Sequence, residues 1–119
     1  MEKVIFTAEE NSFIVEAEGK KLRVSYAEFN GNHSDSMKFC KDNGGGDESV
    51  EELRFLAKHR DTINEELKKL GKETIRGWYW SSELAWWNNN FAFVVATNTG
   101  IVDIETRNLY DYARAVSAL

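Results

Sequence analysis

Gly77-Trp78-Tyr79-Trp80-Ser81-Ser82-Glu83-Leu84-Ala85-Trp86-Trp87-Asn88-Asn89-Asn90-Phe91 holds every tryptophan of the chain. Its character changes along its length. Trp78-Tyr79-Trp80 alternates as a half-buried strand does, so one of its two tryptophans is expected in the core. Trp86 and Trp87 are consecutive, and in extended chain consecutive side chains point to opposite faces, so they cannot share one core. Three asparagines follow, and Ser82 to Asn90 therefore reads as a loop. Large rigid aromatics beside adaptable amides have the composition of a binding surface. The alternative is a lid over the chain's own core.

Downstream, Phe91 to Thr97, Ile101 to Glu105 and Tyr112 to Ala118 read as strands. Asn98-Thr99-Gly100 makes a hairpin between the first two, and Thr106 to Asp111 is left as a loop. Alternation predicts Val102 and Ile104 in the core. It predicts Asp103, Glu105 and Arg107 on the surface begun by Trp86 and Trp87.

Upstream the pattern is helical. Ser49-Val50-Glu51-Glu52 is a capping box. Behind it Leu53, Leu56, Ile63, Leu67 and Leu70 fall on one stripe, stopped by Gly71. Asp61 could cap a second helix, so the segment is one helix or two joined at a bend. Asn30-Gly31-Asn32 is a turn signal. Ser34 or Asp35 can cap a short helix through Met37, Phe39 and Cys40, ended by Gly44-Gly45-Gly46. Before it, Val4-Ile5-Phe6, Phe13-Ile14-Val15 and Leu22 to Tyr26 read as a meander of short strands.

The chain has 119 residues, enough for one domain with a real core. The expected layout is N-terminal strands over 1–33, a helical half over 34–76, and a sheet with loops over 77–119. Hydrophobic residues are 42% and the net charge is −5. That charge argues against a nucleic-acid partner, whose affinity rests on Lys and Arg. No apolar run is long enough to cross a bilayer, and no signal peptide is visible.

Enzyme chemistry finds little support. One cysteine excludes a disulfide framework and a multi-thiolate metal site. The glycine run lacks the Lys-Ser/Thr of a phosphate loop, and Asp47 and Glu48 would repel phosphate. It reads as a flexible link. His33 and His59, among polar neighbours, read as solvated. Cys40 reads as packing, the pairs Glu51-Glu52 and Glu65-Glu66 as a wet face, and Ser81 and Ser82 lack the glycines of a nucleophile elbow. No active-site constellation emerges.

Three segments resemble a known family. Tyr79-Trp80-Ser81-Ser82-Glu83, Thr97-Asn98-Thr99-Gly100 and Tyr112-Ala113-Arg114-Ala115-Val116 are similar to a pattern of bacterial and phage C-type-lectin-fold domains, among them retroelement-diversified variable proteins. That pattern is Tyr-Trp-Ser-Ser-Thr-Glu … Asn-Gly … Tyr-Val-Arg-Ala-Val. Met37-Lys38-Phe39-Cys40, Glu51-Glu52-Leu53 and Ile63-Asn64 are similar to that family's helical half, so the resemblance covers residues ~35–119. The chain departs from the pattern in three places. Asp47-Glu48-Ser49 replaces an Arg-Leu-Pro-Thr, the signature Thr is missing, and Phe91-Ala92-Phe93 stands where Asn-Ala-Trp is usual.

The resemblance implies an α+β, C-type-lectin-like fold with helices beside a twisted, mostly antiparallel sheet. It implies variable display of Trp86, Trp87, Asn88, Asn89, Asn90 and Phe91, and of Asp103, Glu105, Arg107, Leu109, Tyr110 and Asp111. Asn98 and Asn108 lie where such variability would fall. Arg114, like Trp80, would belong to the structural frame. Trp87-Asn88-Asn89 resembles the Trp-Asn-Asp of calcium-dependent sugar sites, but its third residue is not acidic. With no proline in the chain the cis-proline loop of those sites is absent. The cysteines of the formylglycine-generating oxidase are missing too. The expectation is therefore a non-enzymatic, metal-free and cofactor-free module whose C-terminal face takes a protein or cell-surface polymer. An oligomer is compatible with it. The rival is an assembly domain of a phage or surface fibre with that face buried against another subunit.

Overall fold

The computed structural model describes residues 3–119, so Met1 and Glu2 of the 1–33 segment lie outside it. The described residues fold as α+β, with three helices and two mostly antiparallel sheets. The first sheet starts with β1 (Ile5–Ala8), β2 (Ser12–Ala17) and β3 (Lys20–Ser25), the expected meander. Strict alternation buries Phe13, Val15 and Ala17 of β2 on one face. Val15 lies opposite Leu22 and Phe13 opposite Val24, so both strands aim their apolar residues at one core. Each such side chain contributes about 1.5–3 kcal/mol of burial.

β4 (Phe29–Gly31) is a strand where a turn was expected. Asn32 then caps α1 (His33–Asp42), its side chain accepting from the Asp35 N–H at 2.9 Å. Neither Ser34 nor Asp35 is the cap. Ser49 caps α2 (Val50–Lys58) through the Glu52 N–H at 3.1 Å. The second helical element, α3 (Arg60–Lys69), is separate. The bend falls at His59, whose ring stands edge-on to Phe55, and Asp61 lies in the first turn of α3 rather than capping it. Leu53, Leu56, Ile63 and Leu67 are buried, but Leu70 lies past the helix end and is exposed. Gly71 takes φ +69°, which lets the Lys72 N–H return to the Leu67 carbonyl.

The C-terminal half builds the second sheet, in the order β4-β8-β5-β6-β7. Its strands are β5 (Trp78–Leu84), β6 (Phe91–Ala96), β7 (Val102–Thr106) and β8 (Asp111–Ala113). Tyr112 to Ala118, read from sequence as one strand, is two. After β8 the chain passes through Arg114 and Ala115, and β9 (Val116–Ala118) joins the first sheet beside β3. One face of the second sheet, carrying Tyr79 and Val95, closes the main core with α2, α3 and the first sheet. The opposite face carries Trp80, Ala92 and Val94 and packs on Met37 of α1.

The glycine run is pinned, not a flexible link. Gly45 N–H donates to Cys40 O, and Asp47 N–H donates to Val116 O. The carboxylate of buried Glu48 accepts from the N–H groups of Gly46 and Val116. A Cβ at Gly45 would lie 2.3 Å from that carboxylate and 2.9 Å from Ala115 Cα, so only glycine fits.

Candidate functional site

β5 is the hub. Between Trp80 and Leu84 it bulges away from β6, and the Ser81-Ser82-Glu83 residues of that bulge clamp three neighbours. Ser81 Oγ donates to Phe93 O at 2.8 Å, Ser82 N–H donates to Glu48 O, and Glu83 accepts from Val50 N–H at 2.6 Å. The last contact caps α2 from a second direction, with a carboxylate at the positive end of a helix. Glu52, the expected reciprocal member of the capping box, pairs with Lys20 instead.

Trp80 is fully buried, and its indole N–H donates to Gly31 O. Beside it His33, expected to be solvated, is buried edge-on to the indole. Arg107 Nε donates to His33 Nδ1 at 3.2 Å, so the ring proton sits on Nε2 and goes to Ser81 O at 2.8 Å. Burial first, then the charge of Arg107, holds His33 below the usual imidazole range. Arg107 also donates to Asn89 O and Ser34 Oγ. It thus fastens the loop after β5 to α1 instead of standing free on a binding surface. His59 is buried too, against Phe55. Cys40 is buried against Arg114 O, and its thiol is pushed up to about 12 by burial.

The loop over residues 85–90 is closed by its own backbone. Ala85 N–H donates to Phe91 O, Asn88 N–H to Ala85 O, Phe91 N–H to Asn88 O, and Asn90 N–H to the Asn88 side chain. Asn88 therefore builds the turn and is half-buried, while Asn89 and Asn90 are exposed. On this frame Trp86 is 88% exposed and Trp87 51%, their rings edge-to-face at 5.2 Å. Trp87 rests edge-on against Phe93, a residue the sequence reading did not select. Leu109 and Tyr110 are exposed, and Phe91 is half-buried.

The register divides the expected surface. Phe93 pairs with Ile104 and Val95 with Val102, so these four share the side on which Trp87 sits. Ala92 pairs with Glu105 and Val94 with Asp103, so both acids lie on the opposite side. Asp103 and Glu105 therefore do not continue the tryptophan surface. Val102 and Ile104 are not core either: Val102 is 36% exposed and Ile104 half-buried, because β7 is the sheet's outermost strand.

Asp111 meets Glu105 on the acidic side. Its carboxyl is raised to about 8, by burial first and then by the neighbouring carboxylate. Arg114 is 1% exposed and donates to Tyr79 Oη, to Ser25 O, to Glu73 O and Thr74 O, and to Glu28. Among the described residues no three His, Cys, Asp or Glu side chains form a metal-binding group, and no helix is long and apolar enough to cross a membrane. No family model, curated protein or solved structure matches the chain.

Proposed function

We propose that this chain is a non-enzymatic ligand-binding module of the C-type-lectin-like kind, with the Trp86-Trp87 loop as its anchor for a protein or cell-surface polymer. One observation carries the reading. Two indoles stand in solvent on a loop whose backbone is already closed by its own hydrogen bonds. Exposed aromatics on a fixed frame lose little conformational freedom on binding, and such residues dominate the energetics of interfaces. A lid over the chain's own core would bury them, and neither is buried. The proposed function as a diversified variable protein concerns the same loop. A near-copy of its coding region beside a reverse-transcriptase gene would be the mark of it.

The test is indole fluorescence of the full chain titrated with purified cell-surface polysaccharides and with surface-protein fractions. Quenching or a blue shift is expected with at least one fraction. It should vanish in Trp86→Ala/Trp87→Ala, a variant that should stay folded, with a modest loss of stability from the Trp87–Phe93 contact. Sedimentation in parallel separates the assembly reading. Self-association abolished by the same substitutions would replace ligand binding with subunit contact.

A further inference from the structure

β7 has β6 on one side and no strand on the other among the described residues. Ala96 N–H donates to Ile101 O and Arg107 N–H to Asn90 O, which fixes the ladder's phase. Odd-numbered residues of β7 bond inward, and Val102, Ile104 and Thr106 turn their N–H and C=O groups outward. Two of those six groups are taken. Ile104 N–H donates to the Asp103 carboxylate at 2.8 Å, and Thr106 O accepts from Leu109 N–H at 3.1 Å. The N–H and C=O of Val102, the C=O of Ile104 and the N–H of Thr106 have no hydrogen-bond partner among the described residues.

Open edges are ordinarily blunted by charged side chains, proline or a bulge. β7 has no lysine, proline or bulge, its register with β6 is unbroken, and its only charges are the acids Asp103 and Glu105, which leave the edge open to a cationic segment. Its side chains are sorted by face: Val102 and Ile104 on the tryptophan side, Asp103 and Glu105 on the other, with Asp111 against Glu105. None of the three acids has an ion-pair partner among the described residues. A second copy fits this edge badly. Two-fold antiparallel pairing centred on Ile104 would set Asp103 opposite Glu105 of the other copy, a like-charge cross-strand pair.

We propose that the edge of β7 is a strand-addition site for an extended segment of another protein in which apolar residues alternate with Lys or Arg. The apolar residues lie beside Val102 and Ile104, and the cations beside Asp103 and Glu105. Main-chain bonds give such pairing its affinity and the alternate side chains its specificity. A cation drawing the Asp103 carboxylate away also returns the Ile104 N–H to the ladder. This site deepens the binding-module reading and rests on it, naming the partner's chemistry.

The probe is the peptide Lys-Val-Arg-Val-Lys-Val-Arg, titrated into the ¹⁵N-labelled full chain. Controls are the same peptide with Glu at each cationic position and the same peptide N-methylated at alternate nitrogens. Expected are shifts and slowed exchange at the Val102, Ile104 and Thr106 amides. Binding should be on the order of tenfold weaker for either control, as two charge pairs or a broken ladder predict. Asp103→Asn/Glu105→Gln should erase the preference over the acidic peptide. Equal binding of the N-methylated peptide, shifts outside β7, or no binding would each overturn the edge site. The indole titration above uses polymers and different residues. A negative peptide result with a positive indole result therefore sinks the edge site alone.

Discussion

Arg114→Ala tests whether the buried guanidinium is frame or ligand contact. In the parent its fork reaches Tyr79 Oη at 3.0 Å, Glu73 O at 2.9 Å and Glu28 at 3.2 Å, with weaker bonds to Ser25 O and Thr74 O. Truncation leaves those carbonyls without a donor in a site closed to water. It also leaves Glu28 without its nearest cation. Arg76 still lies 3.4 Å from the other Glu28 oxygen and Tyr79 Oη still donates to Glu28 at 2.5 Å, so the orphaned carboxylate keeps two partners. Breaking a buried pair costs about 3–5 kcal/mol, and the remaining Arg76 contact argues for the lower half of that range. At about 0.25 kcal/mol per degree for a chain of this size, the melting temperature should fall by roughly 12–16 °C. Arg114→Lys keeps the charge but loses the fork, and should fall between. The assay is a thermal melt, with urea melts for the free energies, of parent, Arg114→Lys, Arg114→Ala, Glu28→Gln and the double variant. A coupling of about 0.5–3 kcal/mol between positions 28 and 114 is expected. A variant that melts like the parent while losing ligand would refute the frame argument.

Gly45→Ala should cost about 1–3 kcal/mol, since its Cβ would overlap the Glu48 carboxylate; an unchanged urea midpoint would count against the pinned-loop description. Trp86→Ala should stay within about 0.5 kcal/mol of the parent. By contrast Trp80→Ala should cost about 3–5 kcal/mol, and equal melts for the two would contradict their placement. Asp111 has a folded pKa raised above its ordinary value, so the stability it contributes is complete below about pH 4 and lost as pH rises through about 8. Asp111→Asn should therefore gain on the parent between pH 5 and pH 9; a gap that is flat or of opposite sign would contradict the raised carboxyl.

What was legible in the sequence was local. The Ser49 cap, the Gly71 stop and the hairpin at Asn98-Thr99-Gly100 each depend on a few neighbouring residues, and all three are present. Alternation in β7 separated Asp103 and Glu105 from Val102 and Ile104. What it could not say was which side Trp87 would take, because Phe93 decides that through tertiary packing. Nor does alternation distinguish an outer strand from an inner one, and so Val102 and Ile104 were placed in the core. His33 sits in a polar run and is buried by Trp80, a residue far along the chain. His59 carried a readable signal, since Phe55 lies four positions before it, on the same helical face. The division of Tyr112 to Ala118 had one clue. Arg114 interrupts an apolar run, and a buried arginine needs acceptors that a single continuous strand would not supply.

The passage of the chain from β8 to β9 bears on how the protein comes into being. β9 lies beside β3 with Leu22 opposite Ala118, joining residues far apart in the sequence. The first sheet therefore gains its fourth strand only once β9, made long after β3, has emerged from the ribosome. Until then the β3 edge and the buried side of Val24 stay open, and a nascent chain is exposed to mispairing there. Pairings of such long sequence separation place refolding with the slower β-rich domains, in milliseconds to seconds. With no proline in the chain, no prolyl isomerisation adds a slower step after them.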